Sequence, residues 1–165
     1  MEKKCRLCGG STHIVKHDYR FTESGLGNVV LKDVEFAKCD NCGEEAVRIP
    51  RLNDLMRSLA LGVIAKPYEL TGEDVRFLRK YLEFTAAEFA LLLSVDKSTL
   101  SRWEGGSQAP GAQSDRLVRL VALGLMKFID NFEQTIRGFP EIKKTSKAVR
   151  LDVNPETKEI RYRVA

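Results

Sequence analysis

The sequence has little with which to enter a membrane. Its longest nearly apolar stretch, EFALLLSV at 88–95, is far too short to span a bilayer. The opening MEKKCRLCGG lacks the apolar core of a secretory signal. From these two lacks a cytoplasmic protein without a membrane partner is expected, whose four cysteines are not expected to form structural disulfides. There is also no large excess of either charge. Residues 1–50 hold 8 basic and 8 acidic side chains, 51–140 hold 12 and 11, and 141–165 hold 7 and 4. Net charge alone therefore does not announce a nucleic-acid partner. No nucleophile–base pair, phosphate loop or open metal site stands out, so the chain is not expected to be an enzyme.

The 165 residues suit one ordinary domain or two small ones. The cysteines fall into two pairs, CRLC (Cys5, Cys8) and CDNC (Cys39, Cys42), each followed by glycine, Gly9 and Gly43. A C-x2-C turn points two thiolates at one metal, and the glycine takes the positive φ that closes the knuckle. Two such knuckles complete an S4 tetrahedron, a site suited to one structural Zn2+ per chain. Between them, HIVKHDYRFTE reads as a strand, SGLGN as a loop, and VVL and VEFAKC as strands about a Lys32–Asp33 turn. This is the pattern of a zinc ribbon. Lys3, Lys4, Arg6 and Lys38 lie beside the ligands and offset their charge, while His13 and His17 read as ordinary strand residues. A redox C-x-x-C is disfavoured, because that motif wants a thioredoxin-like βαβ setting, and here two such pairs lie among strands with no helix at either.

From Leu52, apolar residues recur at helical spacing (Leu55, Met56, Leu59, Ala60, Val63, Ile64) until Pro67 closes the pattern. Thr71 then caps one helix, with Val75, Leu78, Tyr81 and Leu82 on its inner face. Thr85 caps a second, and Asp96, after a short turn, a third that Gly105–Gly106 stops. At about 100° per residue the third helix puts Leu100 and Trp103 on one side and Ser98, Ser101 and Arg102 opposite, with Lys97 and Thr99 on the flanks. Two short helices joined by a tight turn, the second polar outside, predict a helix-turn-helix. Arg102 can fork onto a guanine, Ser98 and Ser101 can reach bases or phosphates, and Lys97 can reach phosphate.

FTAAEFALLLSVDKSTLSRWEGGSQAP resembles the helix-turn-helix of phage-repressor (Xre) type regulators. The N-terminal part, with YRFTESGLGNVVLKDVEFAKCDNCGEEAVRIP, resembles the YgiT-type zinc finger. In this order the two resemble the MqsA-family antitoxins of bacterial type II toxin–antitoxin systems, over about residues 1–138. The resemblance implies zinc on Cys5, Cys8, Cys39 and Cys42, a zinc domain that binds a ribonuclease toxin, and a homodimer that represses its own operon at a palindrome in double-stranded DNA. The family reads bases with an Asn and an Arg four residues apart; this chain keeps Arg102 and has Ser98 in the Asn position. It has Ala86 where such repressors often carry Gln, so Thr85 and backbone N–H groups must serve there. Ser94 stands where the turn often carries Gly, and a positive φ there would cost roughly 1 kcal/mol.

After 111, Leu117, Leu120, Val121, Leu125, Ile129, Phe132 and Ile136 recur at helical spacing; part covers the core and the rest is a dimer contact. KAVRLDV and EIRYRVA alternate about an NPETK turn, a hairpin with Arg150, Arg161 and Arg163 on its outer face. The expected fold is α+β, mostly α. It comprises a β-rich zinc ribbon (1–50), a connecting helix (51–68), a five-helix Xre-like helix-turn-helix domain (69–140) and a C-terminal β-hairpin (141–165). The expected function is DNA-binding antitoxin and repressor, the alternative a solitary zinc-containing regulator without a toxin.

Overall fold

The structure, a computed structural model, describes residues 4–126, 137 and 139–164. Alternating side chains build the first strands, β1 (Thr12–Arg20) and β2 (Val29–Cys39), which pair antiparallel from Thr12 opposite Cys39 to Arg20 opposite Val30. Lys32 and Asp33 do not form the expected turn. The strand continues through them, with Asp33 at φ 53°, and they face Asp18 alone across a register shift. An extra residue on one strand is a bulge, which bends the sheet without ending it.

β2 is the spine of the sheet. Its second half pairs with β3 (Glu45–Arg48) antiparallel, from Glu35 opposite Arg48 to Lys38 opposite Glu45. Its first half pairs in parallel with β4 (Val149–Val153), Val29 opposite Leu151 and Leu31 opposite Val153. β5 (Ile160–Val164) completes the hairpin with β4.

The mostly α fold with a separate ribbon and tail is thereby corrected. N- and C-terminal strands form one five-stranded mixed sheet. The physical reason is the apolar face of the tail. Val149, Leu151 and Val153 are buried, and a lone hairpin offers nothing to bury them against. The five helices also fall differently. One is the connecting helix α1 (Leu52–Ala65), and four lie beyond it among the described residues: α2 (Gly72–Tyr81), α3 (Ala86–Leu92), α4 (Lys97–Glu104) and α5 (Ala112–Leu125). Ile129, Phe132 and Ile136 lie outside the described residues.

Local chemistry starts these helices. Thr71 accepts from the Asp74 backbone N–H while Asp74 accepts in return, and Thr85 and Glu88 do the same for α3. Such reciprocal caps satisfy two otherwise orphaned donors each. Asp96 precedes α4 without a side-chain cap bond, unlike the expectation. One apolar core runs from Val29, Leu31 and Leu151 of the sheet, through Leu55, Leu59 and Val63 of α1, to Phe89, Leu100 and Trp103. No helix among the described residues is long and apolar enough to cross a membrane.

Candidate metal centre and nucleic-acid interface

Cys5 and Cys8 lie on the loop before β1, Cys39 ends β2, and Cys42 lies on the turn into β3. Sheet pairing folds the two knuckles together, because Thr12 sits opposite Cys39. All four Sγ atoms lie within 4.8 Å of one another, and none is in a disulfide. The Cys5–Cys42 pair is 3.7 Å apart and the Cys8–Cys39 pair 3.5 Å. A tetrahedron of Zn–S bonds of about 2.3 Å sets its sulfurs about 3.8 Å apart, so the cluster is compatible with a structural metal such as Zn2+.

Backbone geometry shapes the knuckles. Gly9 and Gly43 take φ 72° and 75°, and their N–H groups bond the carbonyls of Cys5 (2.9 Å) and Cys39 (3.1 Å). Gly10 must lack a side chain, since a Cβ there would sit 2.9 Å from Asn41 Cβ and 3.2 Å from Cys39 Sγ. The backbone N–H of Gly10, with the Asn41 and thiol neighbours, pulls the Cys8 thiol down to about 6. The Glu44 backbone lowers Cys42, but the surrounding thiols and desolvation outweigh it and push that thiol up to about 12.

His13 and His17 are strand residues on β1, each paired with a carboxylate. His13 Nδ1 meets Asp40 at 2.6 Å, and His17 Nε2 meets Glu45 at 3.0 Å. The Asp18 carbonyl and then Glu45 raise the His17 pKa, and its ring stacks on Phe36. Of the basic neighbours, Lys38 pairs with Glu45 at 3.0 Å, Lys4 and Arg6 are exposed, and Lys3 lies outside the described residues.

In the helix-turn-helix, α3 and α4 are joined through Leu93–Asp96, with Ser94 at φ 54°. Leu100 and Trp103 are buried against the core; Lys97, Ser98, Ser101 and Arg102 are exposed, and Thr99 is half-buried. Arg102 folds back along its own helix, donating to the Ser98 carbonyl (3.3 Å) and Thr99 Oγ1 (3.1 Å). Thr85 is exposed, but its N–H and hydroxyl both donate to Glu88, at 2.8 and 2.6 Å. A phosphate at this helix start must displace that carboxylate or use the remaining N–H groups. The rear of α4 is fixed by Arg79, whose guanidinium grips Glu104 at 2.6 and 2.8 Å.

On α5 the buried face is Asp115, Val118, Arg119, Ala122 and Leu123. The leucine stripe read from the sequence points outward instead, with Leu117, Leu120 and Leu125 exposed and Val121 half-buried. Sequence reasoning also missed the buried polar residues Lys66, Asp74, Asp115, Arg119 and Asp152. Only the Asp115–Arg119 pair left a trace, as an i, i+4 ion pair on the face shared with Val118 and Ala122. Compared with protein-family models and with curated proteins, the chain finds no match in either.

Proposed function

We propose that this protein is a sequence-specific DNA-binding repressor, the antitoxin of a type II toxin–antitoxin pair, that carries one structural Zn2+ on Cys5, Cys8, Cys39 and Cys42. The observation that carries the reading is the outer face of α4. Ser98, Ser101 and Arg102 stand exposed while Leu100 and Trp103 anchor the same helix from behind. A helix held rigidly from one side and polar on the other suits insertion into a major groove. Arg102 is the principal base reader, swinging off its own helix to fork onto a guanine. Lys97 and Thr85 take phosphates, and Ser98, Thr99 and Ser101 complete the contact. The exposed Leu117, Leu120 and Leu125 on α5 offer the face on which two copies join, as a palindromic site requires. The zinc domain neutralises the ribonuclease toxin.

Two measurements test this. In gel-shift titrations on the DNA upstream of its own gene, Arg102→Ala is expected to weaken binding by ~1–3 kcal/mol and to relax specificity at one base pair per half-site. Unchanged affinity removes the recognition-helix assignment. Inducing the adjacent reading frame with and without this protein tests the toxin: growth arrest relieved by co-expression supports an antitoxin. A harmless neighbour leaves a solitary zinc-containing regulator.

A further inference from the structure

The chain from α1 to α2 is fastened from several sides. Arg119, fully buried on α5, donates to the carbonyls of Ile64 (2.7 Å), Lys66 (2.8 Å) and Tyr68 (2.7 Å) and to Asp115 Oδ1 (2.6 Å). Asp115 in turn accepts the Leu70 N–H at 2.6 Å. Lys66, equally buried, pairs with Asp74 of α2, which also holds the N–H and hydroxyl of Thr71. Lys143 adds a third fastening, donating to the Pro67 carbonyl and accepting from the Glu69 N–H. A guanidinium spread over the carbonyls of Ile64 in the last turn of α1 and of Lys66 and Tyr68 in the connector does not let that segment act as a hinge, because each bond lost strands a buried charge or carbonyl.

The other side of α1 is equally fixed. A Cβ at Gly62 would lie 2.3 Å from Ile160 Cδ1, so β5 presses directly on that helix, and Tyr162 Oη donates to the Gly62 carbonyl at 2.7 Å. Further on, a Cβ at Gly72 would lie 2.1 Å from the Trp103 carbonyl, so α2 starts against the end of α4. Hydrogen bonds and close packing thus lead along the length of β2 from Cys39 to Val29–Leu31, across β4 and β5 to Gly62, and through the connector held by Arg119 to Gly72 and the Trp103 carbonyl.

We propose that the Arg119 strap makes the cysteine cluster and the recognition helix one cooperative unit, so that metal bound by the cysteines protects α4. The coupling is reciprocal: whatever stabilises α4 tightens the hold of the cysteines on their metal. It rests on the cysteines binding zinc, and the test separates the two.

Amide hydrogen exchange of the full chain is followed with Zn2+ present and after a strong chelator, with bound zinc quantified in both samples. Trp103, the sole tryptophan and buried on α4, reports the same region by fluorescence during urea unfolding. Zinc loading is expected to slow exchange of the α4 amides about tenfold or more and to move the Trp103 transition to higher urea. A chain that holds zinc but shows unchanged α4 exchange overturns the coupling alone. A chain that takes up no zinc overturns both the metal assignment and the coupling. A double variant, Asp115→Asn with Arg119→Met, removes both charges together and leaves no buried ion unpaired; it is expected to bind zinc while α4 exchange no longer follows the metal. Coupling that persists in a folded double variant removes the strap as its carrier. If that variant does not fold, the comparison on the natural chain still decides.

Discussion

At the cysteine end, all four residues of β3 are exposed, as are Cys8 and Cys42. At the α3–α4 end, Phe89 and Leu100 are wholly buried, both helices of the pair α2 and α3 begin with reciprocal caps, and Arg79 grips Glu104. The first region has ion pairs on its surface and few apolar contacts of its own around the ligands; the second is closed by packing. A small sheet that cannot exclude water from its end gains most from a local cross-link, such as the metal proposed for its cysteines, whereas a short helix pair backed by a tryptophan is held first by its own packing. The difference teaches which kind of perturbation each end will notice.

The sharpest way to break the comparison is at the metal. Cys39→Ala removes the buried cysteine of the proposed zinc site, and exchange protection across β1–β3 is expected to fall towards that of an unfolded chain, since a structural zinc would supply on the order of 10 kcal/mol. Preserved protection would falsify the zinc dependence of this end. Next comes the packed end. Leu100→Ala is expected to lower unfolding free energy by about 2–5 kcal/mol in denaturant titrations, because it opens a cavity in the α4 core, and through the coupling to weaken the hold on zinc without abolishing it.

Smaller effects sharpen the contrast within the helix pair. Ser94→Gly removes the left-handed strain of the turn but adds freedom to the unfolded chain, so a net gain of about 0.5 kcal/mol is expected. A loss of stability would mean that the Ser94 side chain holds the turn. The last effect is a pH dependence. The Thr85 hydroxyl, and then its N–H, hold the Glu88 carboxyl below its ordinary range. The group therefore stabilises the folded state above the unfolded carboxylate range, and that contribution is lost as pH falls through the lowered folded value. Replacing it by Gln should make a difference at neutral pH that shrinks as pH falls through the lowered folded value of Glu88, read from urea midpoints of both proteins.

How much of this was legible in the sequence follows from what each interaction needs. The cysteine spacing displayed its cluster directly, because ligand geometry is nearly all local. Thr71 and Thr85 announced their helices for the same reason, a cap being settled within four residues. Alternation named Val149, Leu151 and Val153 as one apolar face, but alternation does not say which strand lies alongside. Nor did periodicity place α5 correctly. Its leucines are the more hydrophobic stripe, yet the face with Asp115 and Arg119 is inside, since those two charges complete bonds to a connector that pattern cannot see. Lys66 likewise reads as a surface cation until Asp74 is brought to it.

The parallel pairing of β2 with β4 has a consequence for how the chain is made. Asn28 and the Val149 carbonyl it bonds are 121 positions apart, so the central strand of the sheet emerges from the ribosome early and its neighbour late. During that interval one edge of β2 stays open, and the nascent chain must guard it. Closing so long a loop costs entropy before any strand contact repays it. The sheet therefore cannot close before its last strands are made, and slow synthesis of them lengthens the time in which that edge of β2 is unpaired.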